Sequence, residues 1–177
     1  MNICVFGSVN DVEKKYAQAT AGLAKLIGEN GHTLIYGGSD RGLLKVLANG
    51  VQRANGKVVG ISVEFLKDHA RKNADEMIIT KDIKERKETL LKRADVIIVL
   101  VGGVGTLDEV TEILELKKHK MHQKLVVILN TDNFYEGLKI QLAKMDEEGF
   151  LPFSLKELVY FADTPEEAIG YIEKNHK

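Results

Sequence analysis

The stretch Val96-Ile97-Ile98-Val99-Leu100-Val101-Gly102-Gly103-Val104-Gly105-Thr106 decides the fold. Six consecutive apolar residues, Val96 to Val101, leave no polar face, which fits a strand buried on both sides inside a parallel sheet. The glycines stop the strand, and a helical pattern from Thr106 to Lys118 follows at once. A strand that runs through a tight glycine turn straight into a helix is one half of a βαβ unit.

The same rhythm extends in both directions. Apolar runs at Asn2 to Phe6, Thr33 to Tyr36, Val58 to Val63, Met77 to Thr80, Leu125 to Leu129 and Leu158 to Phe161 read as strands. Helical spacing appears in Glu13 to Asn30, Leu43 to Ala54, Ile83 to Arg93 and Tyr135 to Glu148. Thr164-Pro165-Glu166-Glu167 opens a last helix with an N-cap, a first-turn proline and a capping-box Glu. The expected architecture is α/β, a Rossmann-like doubly wound parallel sheet of about seven strands with helices on both faces. Residues 1–177 carry no linker, repeat or low-complexity segment, and read as a single Rossmann-like nucleotide-binding domain.

Composition narrows the function classes. The 25 basic and 26 acidic side chains leave a net charge of -1, which argues against a nucleic-acid partner. No apolar run approaches the roughly 18 residues of a membrane span. No basic segment with a cleavage pattern leads the chain, so a cytoplasmic location is expected. The one cysteine, Cys4, excludes an internal disulfide and a multi-cysteine zinc site, and reads as a small buried hydrophobe. His119 and His122 stand i,i+3 among lysines. They read as a solvated basic helix end, because neighbouring cations repel a metal ion.

Ligands of such sheets bind beyond the carboxyl ends of the strands. Three glycine-bearing breaks fall there: Gly7-Ser8, Gly37-Gly38-Ser39 and Gly102-Gly103-Val104-Gly105-Thr106. In the third, free amides of the first helical turn and the helix dipole favour an anion, and Thr106 adds a hydroxyl. Asp108 stands where a dinucleotide fingerprint needs its third glycine, and no Gly-Lys-Ser/Thr marks a P-loop. A tight turn with no ligand remains the plain alternative. Glu109 follows on the new helix, where the dipole favours an ionised carboxylate, and Arg86-Lys87 lies in a strongly charged helix. Either charge also suits a solvated face.

Together these residues resemble a known family. Glu85-Arg86-Lys87, followed after 23 positions from Arg86 by Glu109 at the end of Gly102-Gly103-Val104-Gly105-Thr106-Leu107-Asp108-Glu109, is similar to the hallmark of the Lonely Guy family. Its members are cytokinin riboside 5'-monophosphate phosphoribohydrolases, often labelled lysine decarboxylases. Val5-Phe6-Gly7-Ser8, Tyr36-Gly37-Gly38 with Gly42-Leu43, His122-Gln123-Lys124 and Glu148-Gly149-Phe150 resemble further family motifs in the same order. The departures are Val101 for a proline, Ser39 for a glycine, Leu44-Lys45 for Met-Gly, Ile83-Lys84 for Met-His, and Glu115 where plant members carry Thr.

The resemblance implies hydrolysis of the N-glycosidic bond of a nucleoside 5'-monophosphate, giving free base and ribose 5-phosphate. It implies Arg86 and Glu109 as catalytic residues. It implies substrate and phosphate contacts from Lys87, Gly102, Gly103, Val104, Gly105, Thr106, Leu107, Asp108, Ser8, Gly37 and Gly38. The reaction calls for no metal and no cofactor. A homodimer is implied too, and fits the helix from Thr106, whose Leu107, Val110, Ile113, Leu114 and Leu116 exceed what one face against a sheet requires. The alternative is a non-catalytic nucleotide or molybdenum-cofactor carrier on the same fold, which would not need Arg86 with Glu109.

Overall fold

The computed structural model describes residues 1–176. Seven strands, β1 (Asn2–Phe6), β2 (Thr33–Tyr36), β3 (Lys57–Val63), β4 (Glu76–Thr80), β5 (Val96–Val99), β6 (Val126–Leu129) and β7 (Tyr160–Ala162), form one sheet in the order β4-β3-β2-β1-β5-β6-β7. Every pairing is parallel. The chain winds outward from β1 to β4, then returns to lay β5 against the other side of β1, with Ile3 opposite Val96 and Phe6 opposite Val99. That reversal opens a crevice beyond the carboxyl ends of β1 and β5.

Alternation along each strand feeds two cores. Ile3, Val5, Leu34, Val96 and Ile98 face one side, where they pack against α1 (Lys14–Glu29), α2 (Gly42–Arg53) and α7 (Pro165–Asn175). Cys4, Phe6, Ile35, Ile97 and Val99 face the other, against α3 (Ile83–Arg93), α4 (Val104–Lys118) and α5 (Glu136–Glu147). The expected doubly wound sheet is therefore the observed one.

The differences are local. β5 ends at Val99, the Leu100 amide still donates to the Phe6 carbonyl of β1 at 2.8 Å, and Leu100 and Val101 stay buried. α4 begins at Val104, not Thr106. Leu158 closes a short helix, α6 (Leu155–Leu158), rather than opening the last strand, since Ser154 and Glu157 form a capping box. A 3₁₀ turn at Glu64–His69 follows β3 without a sequence cue. On α7 the Thr164 side chain accepts from the Glu167 amide at 3.2 Å, while Glu167 reaches past the cap to the Asp163 amide at 2.8 Å.

His122 is not solvated. It is buried, with Nε2 2.9 Å from the Ile113 carbonyl, and burial pushes its pKa down. His119 is exposed and pairs with Glu115 at 2.8 Å. Lys117, on the same turn, is also buried and donates to the Leu158 carbonyl at 3.0 Å. The basic stretch is thus split, with Lys117 and His122 buried, Lys118 half-buried, and His119 and Lys120 exposed. Among the described residues no helix is long and apolar enough to cross a membrane, and no group of three or more His, Cys, Asp or Glu could hold a metal ion.

Candidate active site

A cleft of about 440 Å³ opens at the strand-order reversal. Arg86 enters it from the start of α3. The helix begins where it does because Asp82 accepts from the Glu85 amide at 2.8 Å and Glu85 accepts from the Lys81 amide at 2.9 Å, a reciprocal brace on the first turn. Arg86 Nε donates to the Ile61 carbonyl of β3 at 3.0 Å, and Nη1 to Glu109 Oε1 at 3.4 Å. Gly37 makes room for the guanidinium, since a Cβ there would lie 2.2 Å from Nη2.

Glu109 lies in the second turn of α4, because that helix starts at Val104. The dipole argument for a first-turn carboxylate therefore does not hold for it. Its side chain is 15% exposed. Burial raises its pKa above the ordinary glutamate value, and the Arg86 charge and hydrogen bond oppose that rise without cancelling it. The long contact to Arg86 is its one hydrogen bond among the described residues. A buried carboxylate with so little internal satisfaction keeps acceptor capacity for something in the cleft.

Lys87 also borders the cleft, but its ammonium is taken. Nζ lies 2.7 Å from Asp108 and 2.6 Å from Glu112, tying α3 to α4. Burial works against its charge, yet the two carboxylate hydrogen bonds outweigh that effect and its pKa is raised. Gly103, the N-cap of α4, has no side-chain cap for the helix, so the first-turn amides lack such a partner. A Cβ at Gly103 or at Gly105 would meet no other part of the chain, and both border the cleft with Val104 and Thr106.

Of the residues singled out in the sequence, the fold brings Ser8, Gly37, Arg86, Lys87, Gly103, Val104, Gly105, Thr106, Asp108 and Glu109 to this cleft. Gly38, Gly102 and Leu107 are not in its lining. Gly38 turns the chain with φ +73° and accepts from the Arg71 amide at 2.8 Å. Gly102 is a packing glycine: a Cβ there would lie 2.1 Å from Thr106 Oγ1. Leu107 points to the outer surface of α4, 37% exposed. The lining also includes Asn10, Leu44 and Ile83, none of them read as site residues in the sequence. Leu44 and Ile83 stand at departures from the family motifs and Asn10 in none of them; all three arrive through the packing of the β1–α1 loop, α2 and α3.

A doubly wound parallel sheet with an amide-rich helix start, a guanidinium and a buried carboxylate at its reversal point defines a Rossmann-like protein with an anion-ready cleft. Comparison with known proteins takes the assignment further. A family model described as "Possible lysine decarboxylase" matches residues 44–172. The probable cytokinin riboside 5'-monophosphate phosphoribohydrolase LOGL2 of Oryza sativa is 31% identical, over 97% of this chain and 72% of that protein. LOG6 of Arabidopsis thaliana, with the same probable activity in its name, is 31% identical over 98% of this chain and 88% of its own length. The chain belongs to this family, the Lonely Guy proteins. Among solved structures, the molybdenum cofactor binding protein of Rippkaea orientalis superposes with a TM-score of 0.77 at 25% identity, covering 98% of this chain and 95% of that one.

Proposed function

We propose that the protein hydrolyses the N-glycosidic bond of a nucleoside 5'-monophosphate, of the cytokinin riboside 5'-monophosphate or AMP kind, to free base and ribose 5-phosphate. The observation that carries this reading is the Glu109 carboxylate, buried, held by one long contact to Arg86, and set in the same cleft as the uncapped first turn of α4. The family relatives named for this reaction support it.

The 5'-phosphate accepts hydrogen bonds from the amides at Gly103 to Thr106. This seats the ribose beside Glu109. As the C1'–N bond breaks, its electron pair leaves with the base and positive charge grows on the sugar, which the carboxylate stabilises. Glu109 takes a proton from the attacking water as the new C1'–O bond forms, a task that suits a carboxyl whose pKa is raised toward neutrality. The departing base nitrogen takes up a proton from solvent and Glu109 releases its own to solvent, so the carboxylate is restored and the net reaction adds one water. The part of Arg86 is electrostatic: its guanidinium orients Glu109 and offsets charge on the leaving base.

Lys87 serves this site through α4 rather than through the substrate, since two carboxylates hold its ammonium. The same fact bears on the family model's description. A lysine that forms a Schiff base needs a depressed pKa, and that of Lys87 is raised. Nor does the cleft offer a pyridoxal cofactor another lysine. A carrier role is the second reading, favoured by the likeness to the molybdenum cofactor binding protein; a protein that only holds its cargo gains nothing from a buried, under-satisfied glutamate.

We also propose that residues 1–177 act as one nucleotide-binding domain in the cytoplasm, and as a homodimer. The start of α4 and α3 leaves Val104, Ile83 and Leu107 exposed at or beside the mouth of the cleft. An isologous contact across these helices buries them and closes the site.

The test is incubation of the purified protein with AMP and N6-substituted AMP, with assay of free base and ribose 5-phosphate. Stoichiometric release of both supports the proposal. No release from any nucleoside monophosphate, with an intact pterin copurifying, overturns it in favour of the carrier.

A further inference from the structure

Tyr135 stands outside the cleft, between β6 and α5, and none of the chemistry above uses it. It is 3% exposed, and its hydroxyl donates to the Leu100 carbonyl at 2.9 Å. Leu100 to Gly102 is the segment that leaves β5 and delivers the chain to the first turn of α4. On its other side β1 grips it, with Phe6 accepting from the Leu100 amide at 2.8 Å and Ser8 donating to the Val101 carbonyl at 3.2 Å. Tyr135 is the matching grip from the β6 side.

The phenol is itself held. The Tyr135 amide donates to Asn130 Oδ1 at 2.7 Å, and the Asn130 amide donates to the Ala162 carbonyl of β7 at 2.8 Å. Asn130 is buried. Edge-on packing against Phe134, with centroids 4.9 Å apart, fixes the ring. Burial pushes the phenol pKa up, so the hydroxyl stays a donor throughout the neutral range. A buried relay thus runs from β7 through Asn130 and Tyr135 to the backbone just ahead of the candidate anion loop. Such a chain is costly to leave half-satisfied and tends to impose one geometry.

We infer that Tyr135 is a positioning residue: by fixing the Leu100 carbonyl, two residues ahead of Gly102, it sets the direction in which the amides of Gly103 to Thr106 meet the substrate's phosphate. This rests on the phosphate placement proposed above. The phosphate takes no part in bond breaking, so its grip contributes about equally to ground state and transition state. Loosening it raises KM and leaves kcat nearly alone.

The experiment compares wild type, Tyr135→Phe, and Tyr160→Phe as a control that removes a phenol hydroxyl remote from the cleft. Phe keeps the ring and its packing, so Tyr135→Phe folds, which thermal melting checks. Calorimetric binding of ribose 5-phosphate and of adenosine is measured on all three, with KM and kcat for AMP. Loss of one hydrogen bond translates into up to about tenfold. The expected result is therefore ribose 5-phosphate binding weakened several-fold in Tyr135→Phe, adenosine binding unchanged, KM raised and kcat held. A purely structural phenol weakens both ligands alike or neither, and either pattern overturns the inference. Wild type that binds no ribose 5-phosphate overturns the phosphate placement beneath it and the inference with it. Wild type that binds it equally to Tyr135→Phe overturns the inference alone.

Discussion

Gly37 and Arg86 share one volume: a Cβ built on Gly37 would lie 2.2 Å from Arg86 Nη2. The absent side chain at the end of β2 is what lets the guanidinium reach across to Glu109. Gly37→Ala forces the flexible guanidinium aside and leaves the backbone untouched. Displacing a catalytic group by about 1 Å costs on the order of 10²-fold in rate. The expected outcome is that loss in base release from AMP, with a melting temperature close to wild type. A variant of full activity shows that Arg86 need not occupy this position.

Replacing the carboxylate by its amide separates binding from chemistry. Glu109→Gln keeps shape and removes both the negative charge and the proton acceptor. Base release should fall by about 10²- to 10⁴-fold, the usual worth of a general base. Binding of AMP, read by thermal shift or calorimetry, should persist. Retained turnover would assign the water activation elsewhere.

The raised pKa of Glu109 has a stability consequence with a definite sign. The folded protein holds the Glu109 proton more tightly than the unfolded chain, so the ionised form lowers stability. That penalty is absent below the ordinary value of 4.5, and is complete once pH has risen through the higher folded value. Glu109→Gln should therefore melt above wild type near ~pH 7, with the gap closing toward ~pH 4. The acid limb of the wild-type rate profile should likewise lie above the ordinary glutamate value. A melting gap that widens on acidification contradicts the burial argument.

Lys87 should reveal itself as a strut. Its two contacts, to Asp108 and Glu112, join α3 to α4 with carboxylates that are largely or partly exposed. Lys87→Met should cost about 1 kcal/mol of unfolding free energy, the scale of a small exposed network. The difference should shrink in about 1 M salt, where screening acts within ~3 Å. Denaturant titration at two salt concentrations measures both. Binding of ribose 5-phosphate should change far less than with a lysine that touches the phosphate.

Leu107 tests the proposed assembly. It is outside the cleft lining and 37% exposed on α4. Leu107→Glu should shift sedimentation from a dimer of the 19.7 kDa chain toward the monomer, and lower activity on dilution. A wild-type monomer with full activity removes the dimer from the account.

The sequence by itself determined the layers and the likeness of the site. Val96 to Val101 marks a strand with no polar face, and the glycines after it mark a turn into a helix, because pleat, helical period and turn chemistry are all written in near neighbours. Arg86 and Glu109 could be singled out because their motif carries them, and Gly37 because it ends a strand. Only the tertiary structure decided that β5 lies beside β1, and hence that Gly37, Arg86 and Glu109, from three separate segments, meet at one point. It also decided that Lys87 is spent on two carboxylates, that Gly102 yields to Thr106, that His122 is buried, and that Tyr135 reaches the backbone ahead of the glycine loop. Those are contacts between residues far apart in the chain. No local periodicity encodes them, because they exist only once the sheet has closed and burial has set which polar groups must find a partner.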